Sequence, residues 1–153
     1  MLIHWEAPPR DVLKINFDAS LGSDENSCGL GGLARSFDGK CVVWFSSCCN
    51  QRLDATTAEA MAALRAMEFA RDHDMHRVIL ESDSSTIVAA IQGEGGYFFS
   101  FGHLIDDIKR LSSVFKDFKV CHVKKEGNRA AYEIAKLSLR STFTADVFPR
   151  FHI

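Results

Sequence analysis

Apolar Leu13, Ile15 and Phe17 alternate with polar Lys14, Asn16 and Asp18 near the start of the chain. That is the period of a half-buried strand, and Gly22 soon closes it. Cys28 to Phe37 is Gly-rich and apolar, Asp38-Gly39 is a hairpin signal, and Cys41 to Ser47 alternates again, so three antiparallel strands are expected. Asp54 to Asp74 has no Gly or Pro, is rich in Ala, and offers Asp54, Thr56 or Thr57 as an N-cap, which predicts a long helix. Arg77 to Glu81 reads as a short apolar strand, and Asp83-Ser84-Ser85 opens a second helix running to about Gln92. After the Gly- and aromatic-rich stretch 93–102, Leu104, Ile105, Ile108 and Leu111 mark a third helix and Phe118 to Val123 a fifth strand. Lys124 to Gly127 is a turn, Asn128 a plausible N-cap, and Arg129 to Leu139 a last amphipathic helix. The class is α/β, with five strands and flanking helices.

At the two ends the pattern weakens. Met1 to Asp11, with Trp5, Pro8 and Pro9, suits an extended lead-in without chemistry of its own, and 140–153 suits a tail. A body over 12–139 and a hydrophobic fraction of 46% make one domain with one core the expectation.

Charge narrows the function classes. A net charge of -2 and a pI of about 6.3 exclude a strongly basic arm, so nucleic-acid affinity must come from local patches and metals. The five cysteines form no CxxC pair and have no His at zinc-finger spacing, so they read as reduced core or strand residues. No run approaches the ~18 apolar residues of a membrane span and no basic-then-apolar leader opens the chain, so an intracellular location, nuclear or cytoplasmic, is expected rather than secretion.

Three carboxylates stand out. Asp18 ends the first strand, where Asp is also common in turns. Glu59 shares the inward stripe of the long helix with Ala63, Met67 and Ala70, and a buried charge costs several kcal/mol unless it is paired or binds a metal. Asp83 follows the fourth strand, where the simpler reading is a helix N-cap. The aromatics Tyr97, Phe98, Phe99 and Phe101 could stack bases or fold over a core edge.

The ordered pieces Asn16-Phe17-Asp18, Thr57-Ala58-Glu59-Ala60, Glu81-Ser82-Asp83-Ser84 and Lys125-Glu126-Gly127-Asn128-Arg129 resemble the plant-type ribonuclease H-like domain, similar to that of plant non-LTR retroelement reverse transcriptases. Trp5 with Pro8-Pro9, Ser100-Phe101-Gly102 and Ile105-Asp106-Asp107-Ile108 extend the resemblance, which covers roughly residues 5 to 139. It implies the ribonuclease H-like fold, a mixed sheet flanked by helices, with the first strand central and Asp18, Glu59 and Asp83 converging at one end. It further implies a metal-dependent endonuclease cutting the RNA strand of an RNA–DNA hybrid with two Mg²⁺ or Mn²⁺ ions. Asp18 would bridge both ions, Glu59 would bind the one near the leaving group, and Asp83 would be shared or orient the attacking water. Hard oxygen donors suit such ions, and a few carboxylates with a substrate phosphate suffice. The RNA strand would be distinguished through its 2′-hydroxyls by the backbone at Ala19-Ser20 and Ala55-Thr56, with Lys125 and Asn128 also gripping substrate.

Three positions depart from that pattern. The family's fourth carboxylate falls at Tyr132, whose phenol stays neutral at pH 7; Glu133 is adjacent, but one residue turns a helix by about 100°. Ala19 stands where Gly is frequent, and Lys125 where Arg is usual, which loses a planar fork but keeps a phosphate-binding charge. A second metal site is therefore expected to be weak. Against the nuclease stands a catalytically impaired module that binds nucleic acid or a protein, or a captured retroelement fragment.

Overall fold

The computed structural model describes residues 3–23, 26–93 and 100–140. Its five-stranded sheet has the order β3-β2-β1-β4-β5. Strands β1 (Leu13–Leu21), β2 (Cys28–Arg35) and β3 (Cys41–Cys49) form the expected antiparallel meander. Strands β4 (Arg77–Ser82) and β5 (Asp117–His122) add in parallel beyond β1, which is therefore central. Parallel pairing needs crossovers. Helix α1 (Ala55–Asp72) leads from β3 to β4, while α2 (Ser85–Ile91) and α3 (Gly102–Ser112) lie between β4 and β5. A short 3₁₀ turn at Lys125–Asn128 runs into α4 (Arg129–Arg140). Among the described residues no helix is long and apolar enough to cross a membrane.

The two sheet faces are built from different chemistry. Ile15 and Phe17 on β1, Leu30 on β2 and Phe45 on β3 meet α1, whose Ala58, Ala62, Ala63 and Ala66 let the helix lie close to the sheet. The alternation that predicted a half-buried β1 is present, yet the strand is buried on both sides: Lys14 is 4%, Asn16 0% and Asp18 5% exposed. Their polar atoms are satisfied by the lead-in and by residues far along the chain. Lys14 Nζ stands 3.3 Å from Glu81 Oε2, and the Cys121 thiol donates to that same oxygen at 3.0 Å. The opposite face is closed by α4, seated on β2 where Gly29 and Gly31 leave no side chain in the way. A Cβ on either glycine would overlap the backbone of Ala135.

Helix boundaries follow local chemistry. Asp54 is the cap of α1, its carboxylate accepting the Thr57 N–H at 2.7 Å. The helix stops at Asp72, short of the expected Asp74, which takes φ +54° in the turn to β4. The cap of α2 is Ser84, not Asp83. Asn128 does not cap α4 either, because its side chain points inward and is fully used there. Phe101, one of the four aromatics expected either to stack bases or to close a core edge, is buried in the core; Tyr97, Phe98 and Phe99 lie outside the described residues, as does the tail from 141. All five cysteines are free thiols on β2, β3 and β5.

Candidate active site

At the C-terminal end of β1 the strand leaves Asp18 facing the α4 side, and Ala19 N–H donates to its Oδ1 at 2.9 Å. Glu59, one turn into α1, meets Asp18 in a side-chain hydrogen bond. Asp83 follows β4, and its charge acts on both of the others. Burial raises Asp18 from 3.8 to about 6; the hydrogen bond from Glu59 opposes that rise and the charge of Asp83 adds to it. Burial, then the Asp18 hydrogen bond and charge, raise Glu59 from 4.5 to about 10. Like charges this close cannot both ionise cheaply. Without a cation the pair therefore holds one proton, carried by Glu59 and donated to Asp18, and the other carboxyl oxygen of Glu59, Oε2, is buried with no hydrogen-bond partner.

Asp83 is oriented by an amide. Asn128 Nδ2 donates to Asp83 Oδ1 at 3.1 Å and to the carbonyl of Phe17 at 3.0 Å. Asn128, expected among the substrate contacts, is instead 1% exposed, with its amide spent on these partners and on Asn16, so it acts from inside the protein. The other expected contacts divide. Lys125 lines a cleft of about 360 Å³ together with Asp18, Asp83, Glu126, Arg129 and Tyr132. Ser20 belongs to a neighbouring cleft walled by Leu21, Ser27 and Lys136. The Ala19 N–H is taken by Asp18, and Ala55 and Thr56 form the first turn of α1. Tyr132 stands in the cleft with the carboxylates, 40% exposed, with Lys136 Nζ 5.6 Å from its ring centre. Glu133 faces Arg129 at 3.8 Å instead. Glu126 and Arg129 had no distinguishing mark in the sequence beyond membership of the last motif; both are ordinary surface charges until the turn folds them into the cleft wall.

Three carboxyl groups, one with an orphaned buried oxygen and two sharing a proton, have the donor chemistry of a hard divalent cation. Among the described residues no three His, Cys, Asp or Glu side chains are already disposed to enclose one. The proton between Asp18 and Glu59 occupies the electrostatic place a cation would take.

Residues 16–138 match the family model described as reverse transcriptase-like. The chain belongs to that reverse transcriptase-like family. No curated protein sequence matches it. Solved structures give this family member the ribonuclease H fold. RNase H1 from the archaeon Halobacterium salinarum NRC-1 superposes with a TM-score of 0.78 at 22% identity, over 84% of this chain and 98% of that one. The N-terminal RNase H domain of rv2228c from Mycobacterium tuberculosis gives 0.76 at 16% identity, over 84% and 94%. LC11-RNase H1, isolated from compost and solved in complex with an RNA/DNA hybrid, gives 0.74 at 19% identity, over 84% and 96%.

The shared proton makes a test of this site possible without substrate. Glu59 has a folded value above its ordinary one, so its contribution to stability is complete below about 4.5 and is lost as pH rises toward about 10. Glu59→Gln is therefore expected to melt higher than the parent in EDTA at pH 8, by about 2–4 °C for each kcal/mol recovered. At pH 4 the difference should close. An identical melting curve for the two proteins at pH 8 would show that Glu59 is not the group under strain.

Proposed function

We propose that this protein hydrolyses the RNA strand of RNA–DNA hybrids with the help of a divalent cation, Mg²⁺ or Mn²⁺. The observation that carries this reading is the proton-sharing pair Asp18–Glu59 under the charge of Asp83, at the end of the central strand and beside a cleft that also presents Lys125 and Arg129. Asp18, Glu59 and Asp83 would hold the cation. When bound, it supplies Lewis-acid stabilisation of the phosphodiester under attack. Lys125 and Arg129 bind the phosphate backbone as point charge and fork, respectively. Lys125 already lowers the proton affinity of Asp18 through its charge, and so favours the ionised form that a cation needs. Asn128 holds Asp83 in one rotamer, which leaves less reorganisation for the moment of reaction. The fold of an RNase H1 solved with an RNA/DNA hybrid supports the choice of substrate, and the reverse transcriptase-like match supports a retroelement ancestry. The test is cleavage of an end-labelled hybrid with and without Mg²⁺ or Mn²⁺, against RNA duplex and DNA duplex controls. Equal cutting of all three, or cutting in EDTA, would refute the reading.

Tyr132 favours the second reading, a nucleic-acid binding module with little turnover, because a neutral phenol occupies the cleft where the resemblance implies a fourth carboxylate. The two readings separate on Tyr132→Asp. With the position 40% exposed, the new carboxylate stays solvated, so without a cation the melting temperature should fall only slightly, through repulsion from Asp18 and Asp83 in the same cleft. Cleavage should rise at limiting Mg²⁺, and the gain should shrink at high Mg²⁺, because a weak ligand set is saturated by mass action. A folded Tyr132→Asp protein with no gain at any Mg²⁺ concentration favours the binding module.

A further inference from the structure

The N-terminal strap, residues 3–11, lies across the sheet face that carries the candidate site's support. Trp5 Nε1 donates to Asn16 Oδ1 at 3.0 Å, Asn16 Nδ2 donates to Asn128 Oδ1 at 3.1 Å, and Asn128 Nδ2 donates to Asp83 Oδ1 at 3.1 Å. An indole N–H can only donate and a carboxylate can only accept. The two ends therefore fix the orientation of both amides between them, and every donor points toward Asp83. Chains of this kind polarise one another, and the last bond ends on an anion, where it is strongest.

Each link is also held from the side. The second N–H of Asn16 goes to Glu81 Oε1 at 3.0 Å, and Glu81 is paired with Lys14. Arg35 stacks over the Trp5 ring, 4.2 Å from its centre, and reaches Asn16 Oδ1 at 3.4 Å. The strap backbone presses on the turn that carries Asn128: a Cβ at Gly127 would lie 3.1 Å from Trp5 N and 3.1 Å from the His4 carbonyl carbon, and would overlap Val123.

We propose that the strap is part of the active site's machinery, with Trp5, Asn16 and Asn128 acting as positioning residues that set the Asp83 carboxylate through this directed relay. This rests on the hydrolase reading only for its kinetic consequence; the relay itself can be read without activity. A Trp5→Phe change removes one donor and keeps a ring under Arg35. With only the longer Arg35 bond left on its Oδ1, Asn16 is held less firmly, its bond to Asn128 loosens, and Asp83 samples other rotamers.

The test compares the whole chain with Trp5→Phe and a control, Val43→Ala, which opens a cavity in the core away from the relay. Two readouts are taken: kcat and KM on an RNA–DNA hybrid at saturating Mg²⁺, and hydrogen exchange of the Asn128 side-chain amide by NMR without metal. Trp5→Phe is expected to lower kcat by about 3- to 10-fold at unchanged KM and to speed Asn128 amide exchange. Val43→Ala should lower the melting temperature and alter neither readout. The proposal falls if Trp5→Phe leaves kcat and the Asn128 amide untouched, or if Val43→Ala lowers kcat as much. If the parent protein cuts no hybrid, the hydrolase reading fails and the amide decides alone: faster exchange in Trp5→Phe sustains the relay, and unchanged exchange overturns it.

Discussion

Asp18→Asn is expected to reduce hydrolysis of an RNA–DNA hybrid by about 10³-fold, the scale of losing a preorganised electrostatic group, while leaving the protein folded and, in EDTA at pH 7.5, more heat-resistant than the parent. The fold survives because Asn has the shape of Asp and its Oδ1 can still accept the Ala19 N–H now held at 2.9 Å. Activity goes because a neutral amide is a poor ligand for a divalent cation at the position that faces both Glu59 and Asp83. The stability gain has a definite pH window. Burial raises Asp18 from 3.8 to about 6, so its contribution is intact below 3.8 and is lost as pH climbs through 6. Removing the ionisable group should therefore help above that window and make no difference at pH 3. Cleavage at the parent rate would assign the nuclease to a contaminant; a lower melting point at pH 7.5 would remove the account of strain in the carboxylate pair.

The second large effect is structural. Gly31→Val should destabilise the protein by about 3 kcal/mol or more, a fall of about 6–12 °C in Tm for a chain of this size, and should lose hybrid cleavage even below the new Tm. The added atoms meet the Ala135 backbone, with its Cα at 2.8 Å and Ile134 C at 2.9 Å from the first of them. Backbone cannot rotate aside as a side chain does, so α4 must lift as a body. Arg129 and Tyr132 ride on that helix and form one wall of the cleft. A Gly31→Val protein melting within 2 °C of the parent would show that α4 is not seated on β2 as described.

Much of the architecture was legible because it is written in local patterns. The alternation of 13 to 18, the Asp38-Gly39 turn and the Ala-rich run after Asp54 each specify their element without help from elsewhere. What escaped depends on partners distant in sequence. Lys14 and Asn16 read as the polar side of a half-buried strand, since nothing near them announces that Glu81 and Asn128 will meet them. Trp5 read as packing in an inert lead-in, because its N–H acquires meaning only from the amide it meets. Asp83 and Ser84 are both competent caps by residue type; the choice of Ser84 followed from Asn128 engaging Asp83. Gly29 and Gly31 looked like part of a glycine-rich strand, and only the approach of α4 shows why side chains are missing there.

The sheet order β3-β2-β1-β4-β5 also has a consequence for the newly made chain. Strands β1 to β3 pair with their immediate neighbours in sequence and close short loops, whereas β4 and the turn before α4 must return across long stretches to reach β1, and β5 must cross two helices to reach β4. Local pairing is fast and distant pairing slow. As the chain leaves the ribosome it can form the meander with Asp18 at its edge well before anything fixes Asp83, because 112 residues separate Asn16 from the Asn128 that joins them. A chain made only as far as β4 thus holds the first carboxylate without the amide that orients the third, so the arranged site forms only after Asn128 and the helix behind it have been made.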